Sequence, residues 1–418
     1  MKKYIITQEK LKTARGEQNV IVSALYDDNK KMQEVTLSVK ENTSILGNLY
    51  IGRVENVVKN LNAAFIRISP EQVCYYSMDD YKQPLFTKKL SEKKALVQGE
   101  ELIVQVSREA IKTKEPAVTT NLNFTGKYAV LTTENQQIGI SSKLGKAEKE
   151  RLKQLVEHIE HPDFGLIIRT NAKDATDEEI LTEIETLQTE WKQLKETARH
   201  KTCYTCLKKE APVYLKEIVN LQTKEVDEII VDDRALFEQI CTTYGVNEMD
   251  LRTKGAVSVP INEVKVKDTL LLRYYNDSLL SLSALYSVKS SLENALSEKV
   301  WLKSGAYLII QPTEALTVID VNTGKNIAKK DVQENFLRIN KEAAIEIAHQ
   351  IRLRNISGIV IVDFMNLTST DAEAELMSTF RAELKKDPVP TQLIDITKLG
   401  LVEVTRKKVR KSLREILN

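Results

Sequence analysis

The 418-residue chain has little of several features that mark particular protein classes. Four cysteines are too few for a disulfide framework in this length, which fits a reducing compartment. No apolar run approaches the roughly 20 residues that a membrane helix needs. The N-terminus Met1-Lys2-Lys3 is basic but has no sufficient apolar stretch behind it, so a signal peptide is not expected. These absences predict a cytoplasmic protein that does not bind membranes.

Net charge is also nearly absent, because 61 Lys and Arg residues stand against 59 Asp and Glu residues, a balance of +2. Any binding of a polyanion must therefore depend on local patches. The histidines His158, His161, His200 and His349 show no spacing typical of metal ligands, and we interpret them as structural. The sequence contains no internal repeat, and its length predicts two to four folding units.

Two aspartates close short apolar runs: Asp320 follows 315–319, and Asp363 follows 358–362. Such β-branched runs indicate buried strands. Between them, the segment Asp331–Leu353 has apolar residues close to helical spacing. Strand, helix and strand predict a βαβ unit with neighbouring parallel strands. Two carboxylates at the ends of strands about 4.8 Å apart are suited to sharing one hard cation.

The rest of the chain predicts a mixed α/β architecture. Short alternating strands predict a small β-barrel that ends near Thr120. Thr176 and Glu179 form a capping-box pair that opens a helix. Further strand-like segments are 48–54, 63–68, 101–106, 165–170 and 228–232, and a hairpin with its turn at 27–29 is expected near the N-terminus.

Five ordered blocks resemble the bacterial ribonuclease E/G family. They are VWLKSG at 300–305, TEALTVIDVNTG at 313–324, IRLRN at 351–355, IVDF at 361–364 and LGLVEVTRK at 399–407. Weaker similarity at 50–54, 63–65 and 168–170 extends the resemblance over essentially the whole chain. The resemblance implies an endoribonuclease that cuts single-stranded RNA with Mg²⁺ and leaves 5′-phosphate and 3′-hydroxyl ends.

The resemblance also implies an α/β (multidomain α+β) fold in four parts. These are an RNase H-like subdomain (1–37 with 211–281), an inserted S1-type OB barrel (38–120), a 5′-sensor domain (121–210) and a DNase I-like catalytic domain (282–418). In the family, a zinc-link cysteine motif and a small domain follow. The sequence ends at Asn418 before either, so we expect a short form that lacks both.

Within this resemblance, Asp320 and Asp363 match the metal-binding aspartates, and Asn322 matches an asparagine that orients the reacting group. The alternatives are a strand-end turn residue for Asp320 and a helix cap for Asp363. The next cap candidate, Ser369, lies well beyond Asp363, which disfavours the second alternative. The family usually has another aspartate three positions after Asp363, where this chain has Asn366.

Phe65 and Tyr75 match barrel positions where aromatic rings stack on bases, and Lys114 matches a basic residue beside them. Stacking contributes about 1–3 kcal/mol per base and tolerates any sequence. The alternative for Phe65, a place in the barrel core, is about equally favoured by the residues alone.

Arg169 and Thr170 match the pair that binds a 5′-terminal monophosphate. A guanidinium fork with a hydroxyl donor suits a phosphate. The alternative is a strand-end arginine that faces solvent. Pro390 falls near the place of a supporting arginine, so we expect weaker sensing of the 5′ end than in relatives.

Cys203 and Cys206 form a lone CxxC pair. A four-thiolate zinc site shared between two copies in a homodimer is chemically reasonable, but free thiols at the end of a helix are favoured. The basic tail from Arg406 to Arg414 holds six Lys and Arg residues. It is suited either to RNA phosphates, with salt-sensitive binding, or to a solvated helix face.

The sequence therefore predicts a Mg²⁺-dependent endoribonuclease for single-stranded, 5′-monophosphorylated RNA, acting in rRNA processing or mRNA turnover. The alternative is a non-catalytic RNA-binding factor of the same fold, against which the retained Asp320, Asn322 and Asp363 argue. A DNA nuclease is disfavoured by the match to ribonucleases.

Overall fold

The computed structural model describes residues 2–13, 16–39, 44–82, 84–92, 95–110, 114–133, 135–159, 163–219, 221, 226–246, 262–267, 270–324 and 332–417. The chain forms two compact units, one of residues 1–41 with 225–418 and the other of residues 42–224. Among the described residues, no helix has the length and apolar character needed to cross a membrane.

The described strands are, in chain order, β1 (Lys2–Thr13), β2 (Gly16–Tyr26), β3 (Met32–Val39), β4 (Leu49–Val58), β5 (Ala63–Ser69), β6 (Gln72–Ser77), β7 (Phe86–Lys88), β8 (Glu101–Arg108), β9 (Ala117–Thr119), β10 (Asn123–Thr125), β11 (Ala129–Thr132), β12 (Ile138–Ile140), β13 (Gly165–Ile168), β14 (Cys206–Lys208), β15 (Val226–Val231), β16 (Glu263–Lys267), β17 (Leu270–Tyr274), β18 (Lys299–Trp301), β19 (Tyr307–Pro312), β20 (Leu316–Asn322), β21 (Gly358–Asp363), β22 (Thr391–Ile396) and β23 (Val402–Arg406).

The described α-helices are α1 (Lys146–Val156), α2 (Asp177–Ala198), α3 (Val213–Val219), α4 (Arg234–Thr243), α5 (Leu282–Leu285), α6 (Val288–Leu296), α7 (Val332–Leu353), α8 (Thr370–Leu384) and α9 (Leu413–Leu417). The predicted helix 331–353 corresponds to α7, and its first predicted residue, Asp331, lies outside the described residues, as does His161.

One sheet of the first unit joins segments that are far apart in sequence. Its strand order is β16-β17-β15-β1-β2-β3, with β1 parallel to β15 and antiparallel to β2. Glu228 on β15 is 2% exposed, and its carboxylate pairs with Lys3 at 2.8 Å and Arg273 at 2.9 Å on the two neighbouring strands. These ion pairs compensate a charge that is otherwise costly to bury.

The other sheet of the first unit contains the predicted βαβ unit. Its order is β18-β19-β20-β21-β23-β22, and β20 and β21 pair in parallel with α7 as the crossover. Alternate residues such as Ile319, Val321, Val360 and Val362 are buried in one core with residues of α7 and α8. The βαβ prediction is confirmed, and the helices cover one face of this sheet.

The opposite face of this sheet is the less buried one, and we call it the open face. Period-two alternation along the strands assigns residues to it. It carries Lys299 and Trp301 of β18, Tyr307 and Ile309 of β19, Asp320 and Asn322 of β20, and Ile359, Ile361 and Asp363 of β21.

The second unit begins with a closed barrel of five strands in the order β4-β5-β6-β9-β8, which closes through pairing of β4 with β8. Val54, Ile66, Tyr76 and Val104 are at most 1% exposed and fill its interior. Closure removes the free sheet edges that short strands otherwise present. The predicted barrel is confirmed.

The second unit also contains the four-stranded sheet β10-β11-β13-β12 with helices α1 and α2. Thr176 caps α2 by accepting from the backbone of Glu179, whose side chain accepts from the backbone of Thr176. The predicted capping box is confirmed. The apolar residues of this helix, from Ile180 to Leu194, are buried against the sheet.

Candidate active site

The two aspartates meet on the open face. Asp320 and Asp363 are direct register partners on the parallel strands β20 and β21. Register partners in a parallel pair project to the same face, and adjacent strands lie about 4.8 Å apart. Asp320 is half-buried and Asp363 is exposed, so both carboxylates are accessible to a ligand.

Asn322 holds one of these carboxylates. Two residues after Asp320 on the same strand, it lies on the same face, and its Nδ2 donates a hydrogen bond to Asp320 Oδ2 at 2.7 Å. The Asp363 carboxylate receives no hydrogen bond from any described side chain. The α8 N-cap is Ser369, which accepts from Ala372 N–H, so Asp363 does not cap that helix.

Two contacts fix the loops that follow these strands. Gly324, after β20, has φ +65°, and a Cβ there would collide with the carbonyl oxygen of Gly305 in the hairpin between β18 and β19. Asn340 of α7, fully buried, donates from Nδ2 to Met365 O at 2.7 Å and accepts from Met365 N at 3.1 Å. Both strand ends are thereby anchored to neighbouring elements.

The donor set fits a magnesium ion. Mg²⁺ binds in proteins through one or two carboxylates, retains several waters and completes its shell with substrate phosphate oxygens. Asp320 and Asp363 supply two carboxylates, and Asn322 adds an amide beside them. No group of three or more His, Cys, Asp or Glu side chains among the described residues is arranged to hold a metal. Two carboxylates leave the other positions of such an ion to water and substrate oxygens.

The two barrel aromatics also come together. Phe65 on β5 and Tyr75 on β6 are register partners, and their ring centroids lie 6.3 Å apart in an edge-to-face arrangement. Both rings are half-buried, while Ala64 and Tyr76, on the opposite side of the strands, are fully buried. Phe65 therefore lies on the outer surface of the barrel and not in its core. Lys114 is exposed and lies three residues before β9, which pairs with β6.

Arg169 and Thr170 lie directly after β13, where β12 and β13 end side by side in parallel. Arg169 is half-buried, and its guanidinium donates to Gly126 O at 2.6 Å, so it does not point freely into solvent. Burial lowers its pKa, which Glu183 opposes, and arginine remains protonated. The Thr170 hydroxyl lies 2.9 Å from the Ser141 hydroxyl, at the end of β12.

The chain is similar to known proteins over most of its length. A protein-family model described as Ribonuclease E/G family matches residues 123–409. The chain belongs to the ribonuclease E/G family. Ribonuclease E of Synechocystis sp. is 30% identical over 404 residues, which cover 96% of this chain and 57% of that protein. Ribonuclease G of Escherichia coli K12 is 30% identical over 406 residues, 94% of this chain and 78% of that protein.

Ribonuclease G of Haemophilus influenzae is similar to the same degree, with 30% identity over 400 residues, 92% of this chain and 77% of that protein. The chain thus spans a little over half of the length of the cyanobacterial ribonuclease E that it matches. The family match begins at β10, in the four-stranded sheet of the second unit, and ends at residue 409, three residues after the end of β23.

One family block proves to have a structural role that the sequence did not indicate. Arg406, assigned to a basic tail, is 4% exposed on β23 and forms an ion pair with Asp387 at 2.8 Å. It also donates to Asn355 Oδ1 at 2.7 Å and Ile356 O at 3.1 Å. The expectation of an RNA-contacting or solvated residue at Arg406 is wrong, because a carboxylate 19 residues earlier in the chain neutralises it within the core.

The CxxC pair lies after α2, in a turn and in strand β14, and not at the end of the helix. Both thiols are free and half-buried, and Cys206 Sγ contacts Lys208 O at 3.5 Å. Burial raises the pKa of Cys203 and of Cys206. The choice between free thiols and a zinc site shared by two copies stays a prediction.

Sequence reasoning missed two residues of the candidate sites. Ser141 follows a short strand, Ile138–Ile140, whose three residues carry too weak a pattern to predict its parallel pairing with β13. Asn340 is a polar residue in the apolar stripe of α7, between Ile339 and Ala343. A polar side chain at a buried helical position is the signal that identifies such a residue, since a buried polar group must find partners.

Proposed function

We propose that the chain is a Mg²⁺-dependent endoribonuclease that cleaves single-stranded RNA, prefers 5′-monophosphorylated substrates, and acts in the cytoplasm in rRNA processing or mRNA turnover. The observation that carries the proposal is the register of Asp320 opposite Asp363 on the open face, in a chain of the ribonuclease E/G family. The division into RNase H-like, S1-type, 5′-sensor and DNase I-like domains is part of the same proposal.

Asp320 and Asp363 would hold the ion. When bound, Mg²⁺ stabilises the charge that develops on the phosphoryl group and makes water easier to deprotonate. Asn322 keeps the Asp320 carboxylate in one orientation, and Asn340 fixes the loop behind Asp363. Water attacks phosphorus and gives up a proton to the solvent, the bond from phosphorus to the 3′ oxygen breaks, and that oxygen takes up a proton from the solvent. The new ends are then a 5′-phosphate and a 3′-hydroxyl.

The outer surface of the barrel would bind the RNA strand. Phe65 and Tyr75 present two adjacent rings, which suit stacking on bases without reading their sequence. Double-stranded RNA keeps its bases stacked inside the helix, so this surface favours single strands. The exposed ammonium of Lys114 suits a phosphate of the same strand.

The proposal is tested by cleavage of one short labelled RNA with Mg²⁺ and with EDTA. We expect cleavage in Mg²⁺ at internal positions, loss of cleavage in EDTA, and recovery when Mg²⁺ is restored. The products should carry 5′-phosphates, which ligation to a 3′-hydroxyl acceptor detects. RNA binding without cleavage under all divalent ions tested would instead favour the non-catalytic RNA-binding factor.

The 5′-end preference leads to a separate prediction. Arg169→Ala should reduce the ratio of cleavage rates on 5′-monophosphate and 5′-hydroxyl RNA by about 10- to 100-fold, because a hydrogen bond to a charged group contributes about 1.5–3 kcal/mol. The measurement is kcat/KM for the two RNAs that differ only at the 5′ end. Rates on 5′-hydroxyl RNA should change little.

Arg199→Ala is the matched control, because Arg199 is an exposed arginine of the same unit, after α2. Arg169 also donates to Gly126 O, so circular dichroism must establish that the Arg169→Ala protein is folded. An unchanged rate ratio in a folded variant would remove the sensor role.

A further inference from the structure

The open face carries an aromatic cluster that the proposed function does not use. Trp301, at the end of the edge strand β18, is 63% exposed. It is the register partner of Tyr307 on β19, and Tyr307 is the register partner of Asn322 on β20. The row Trp301-Tyr307-Asn322 therefore runs straight from the sheet edge to the candidate active site.

A second row lies beside the first. Lys299 pairs with Ile309, Ile309 with Asp320, and Asp320 with Asp363. Two strand spacings of about 4.8 Å separate the backbone of Lys299 from that of Asp320, a distance of about 10 Å. A substrate phosphate at the two aspartates thus has the aromatic cluster as its neighbour on the same face.

The cluster has a defined geometry. The rings of Trp301 and Tyr307 lie 5.2 Å apart between centroids with an interplanar angle of 61°. Lys299 Nζ lies 4.0 Å from the Trp301 centroid and 3.8 Å from the Tyr307 centroid. No described carboxylate forms an ion pair with Lys299. Its positive charge is therefore held at the rings by cation–π attraction and is not neutralised.

We propose that Trp301, Tyr307 and Lys299 form a subsite for a nucleotide of the single-stranded RNA substrate, next to the scissile phosphodiester. The base stacks on the exposed ring of Trp301, and the Lys299 ammonium contacts a backbone phosphate. This subsite rests on the proposed function, since it places the nucleotide relative to Asp320 and Asp363.

Charge and chemistry favour nucleic acid over an apolar partner. A large exposed tryptophan beside an unneutralised ammonium matches a ligand with a π-face and an anionic backbone. The row has two metal-binding carboxylates at one end and the Lys299 ammonium at the other. The carboxylates would act on the scissile phosphate, and the ammonium would bind a neighbouring phosphate of the same RNA strand.

Tryptophan fluorescence tests the subsite directly, because the chain contains only two tryptophans. Trp191 is 5% exposed in the core of the second unit, so Trp191→Phe leaves Trp301 as the only emitter when the excitation is selective for tryptophan. We expect a 2′-O-methyl single strand of about ten nucleotides to lower acrylamide quenching of Trp301 by about twofold or more, as a stacked base covers the ring. Anisotropy of the labelled strand measures binding in parallel.

Kinetics provide an independent readout. Trp301→Ala should raise KM for a short single-stranded RNA by about 5- to 100-fold with little change in kcat, because stacking acts on ground and transition states alike. Trp301→Phe should restore most of the loss. Ile345→Ala is the control, because Ile345 is a large exposed apolar residue on α7, in the helical layer that covers the other face of the sheet.

The outcomes separate this subsite from the nuclease proposal. If RNA binds and shields Trp301 but is never cleaved, the proposed function fails, and Trp301 belongs to a surface that only binds RNA. If the protein cleaves RNA and Trp301 stays equally accessible to acrylamide in the bound state, the subsite is refuted. Shielding of Trp301 by higher protein concentration without RNA would also refute it, because the surface would then belong to a second copy of the chain.

Discussion

Replacement of Asp320 by asparagine is expected to lower the rate of RNA cleavage by about 10³-fold, because a bound metal ion contributes several kcal/mol of transition-state stabilisation. Asn is nearly isosteric with Asp but lacks the charge that binds Mg²⁺. Its amide oxygen is still able to accept the hydrogen bond from Asn322 Nδ2, so β20 should keep its structure. Asp363→Asn should have an effect of the same order.

RNA affinity should remain close to that of the unchanged protein in both variants, since the proposed base-stacking surface of the barrel is in the other unit. Single-turnover cleavage at saturating Mg²⁺ measures the chemical step, and anisotropy of labelled RNA measures binding. Combining Asp320→Asn with Asp363→Asn should cost little more than either alone, because residues that act on one ion are not additive.

Asp371→Asn is the matched control for these variants. Asp371 is an exposed aspartate in the first turn of α8, so the same chemical change is made away from the open face. Its cleavage rate should be that of the unchanged protein. Full activity in Asp320→Asn or Asp363→Asn would contradict the assignment of the active site, whatever the RNA affinity.

The register of Asp320 and Asp363 was predictable from the sequence because the information is local. A carboxylate at the end of a β-branched run, repeated after one helix, leaves few arrangements other than adjacent parallel strands. Capping and apolar periodicity likewise determine α2 from Thr176 onward within one stretch of sequence. The pairing of Asp320 with Asp363 follows from these patterns and from the length of the two strands.

Pairing between distant segments was not predictable in this way. β1 pairs with β15, more than 200 residues later, and no local pattern near Lys3 identifies Glu228 as its partner. Only the family resemblance implied that the N-terminal residues and a later segment belong together. The four domain boundaries that it implied stay a prediction.

The partner of a buried charge was likewise not predictable from the local sequence, as Arg406 shows. In sequence it begins a basic run, and nothing near it shows that its guanidinium is paired. In the structure, the side chains of Arg406 and Asp387 are 4% and 1% exposed. Asp387 also accepts from Thr391 Oγ1 at 3.1 Å and from Val389 N at 2.9 Å. Burial of both charges makes this pair the strongest candidate for a large effect on stability.

Asp387→Ala is expected to lower the free energy of unfolding by about 3–5 kcal/mol, because it leaves the Arg406 guanidinium buried without a counter-charge. Arg406 would keep its hydrogen bonds to Asn355 and Ile356, which do not neutralise it. Urea unfolding followed by circular dichroism measures the change. Glu375→Ala is the control, since its pair with Lys341 has side chains 52% and 37% exposed and should contribute less than about 1 kcal/mol.

Removal of both charges separates pairing from packing. Asp387→Leu combined with Arg406→Met should recover most of the stability lost in Asp387→Ala, because replacing a whole buried pair by apolar side chains is often neutral. The double variant could instead be as unstable as Asp387→Ala. That result would mean that the hydrogen bonds from Arg406 to Asn355 and Ile356 hold β23 beside β21, and that neutralisation of the Arg406 charge by Asp387 does not. If Asp387→Ala lowers the free energy of unfolding no more than the Glu375→Ala control does, then water reaches Arg406 and the pair is not buried in solution. Asp363 lies on β21, which is next to β23, and Asp320 lies on β20, the following strand of the same sheet. Asp387 is not one of the proposed metal ligands, so Asp387→Ala should lose cleavage only under conditions in which the protein unfolds.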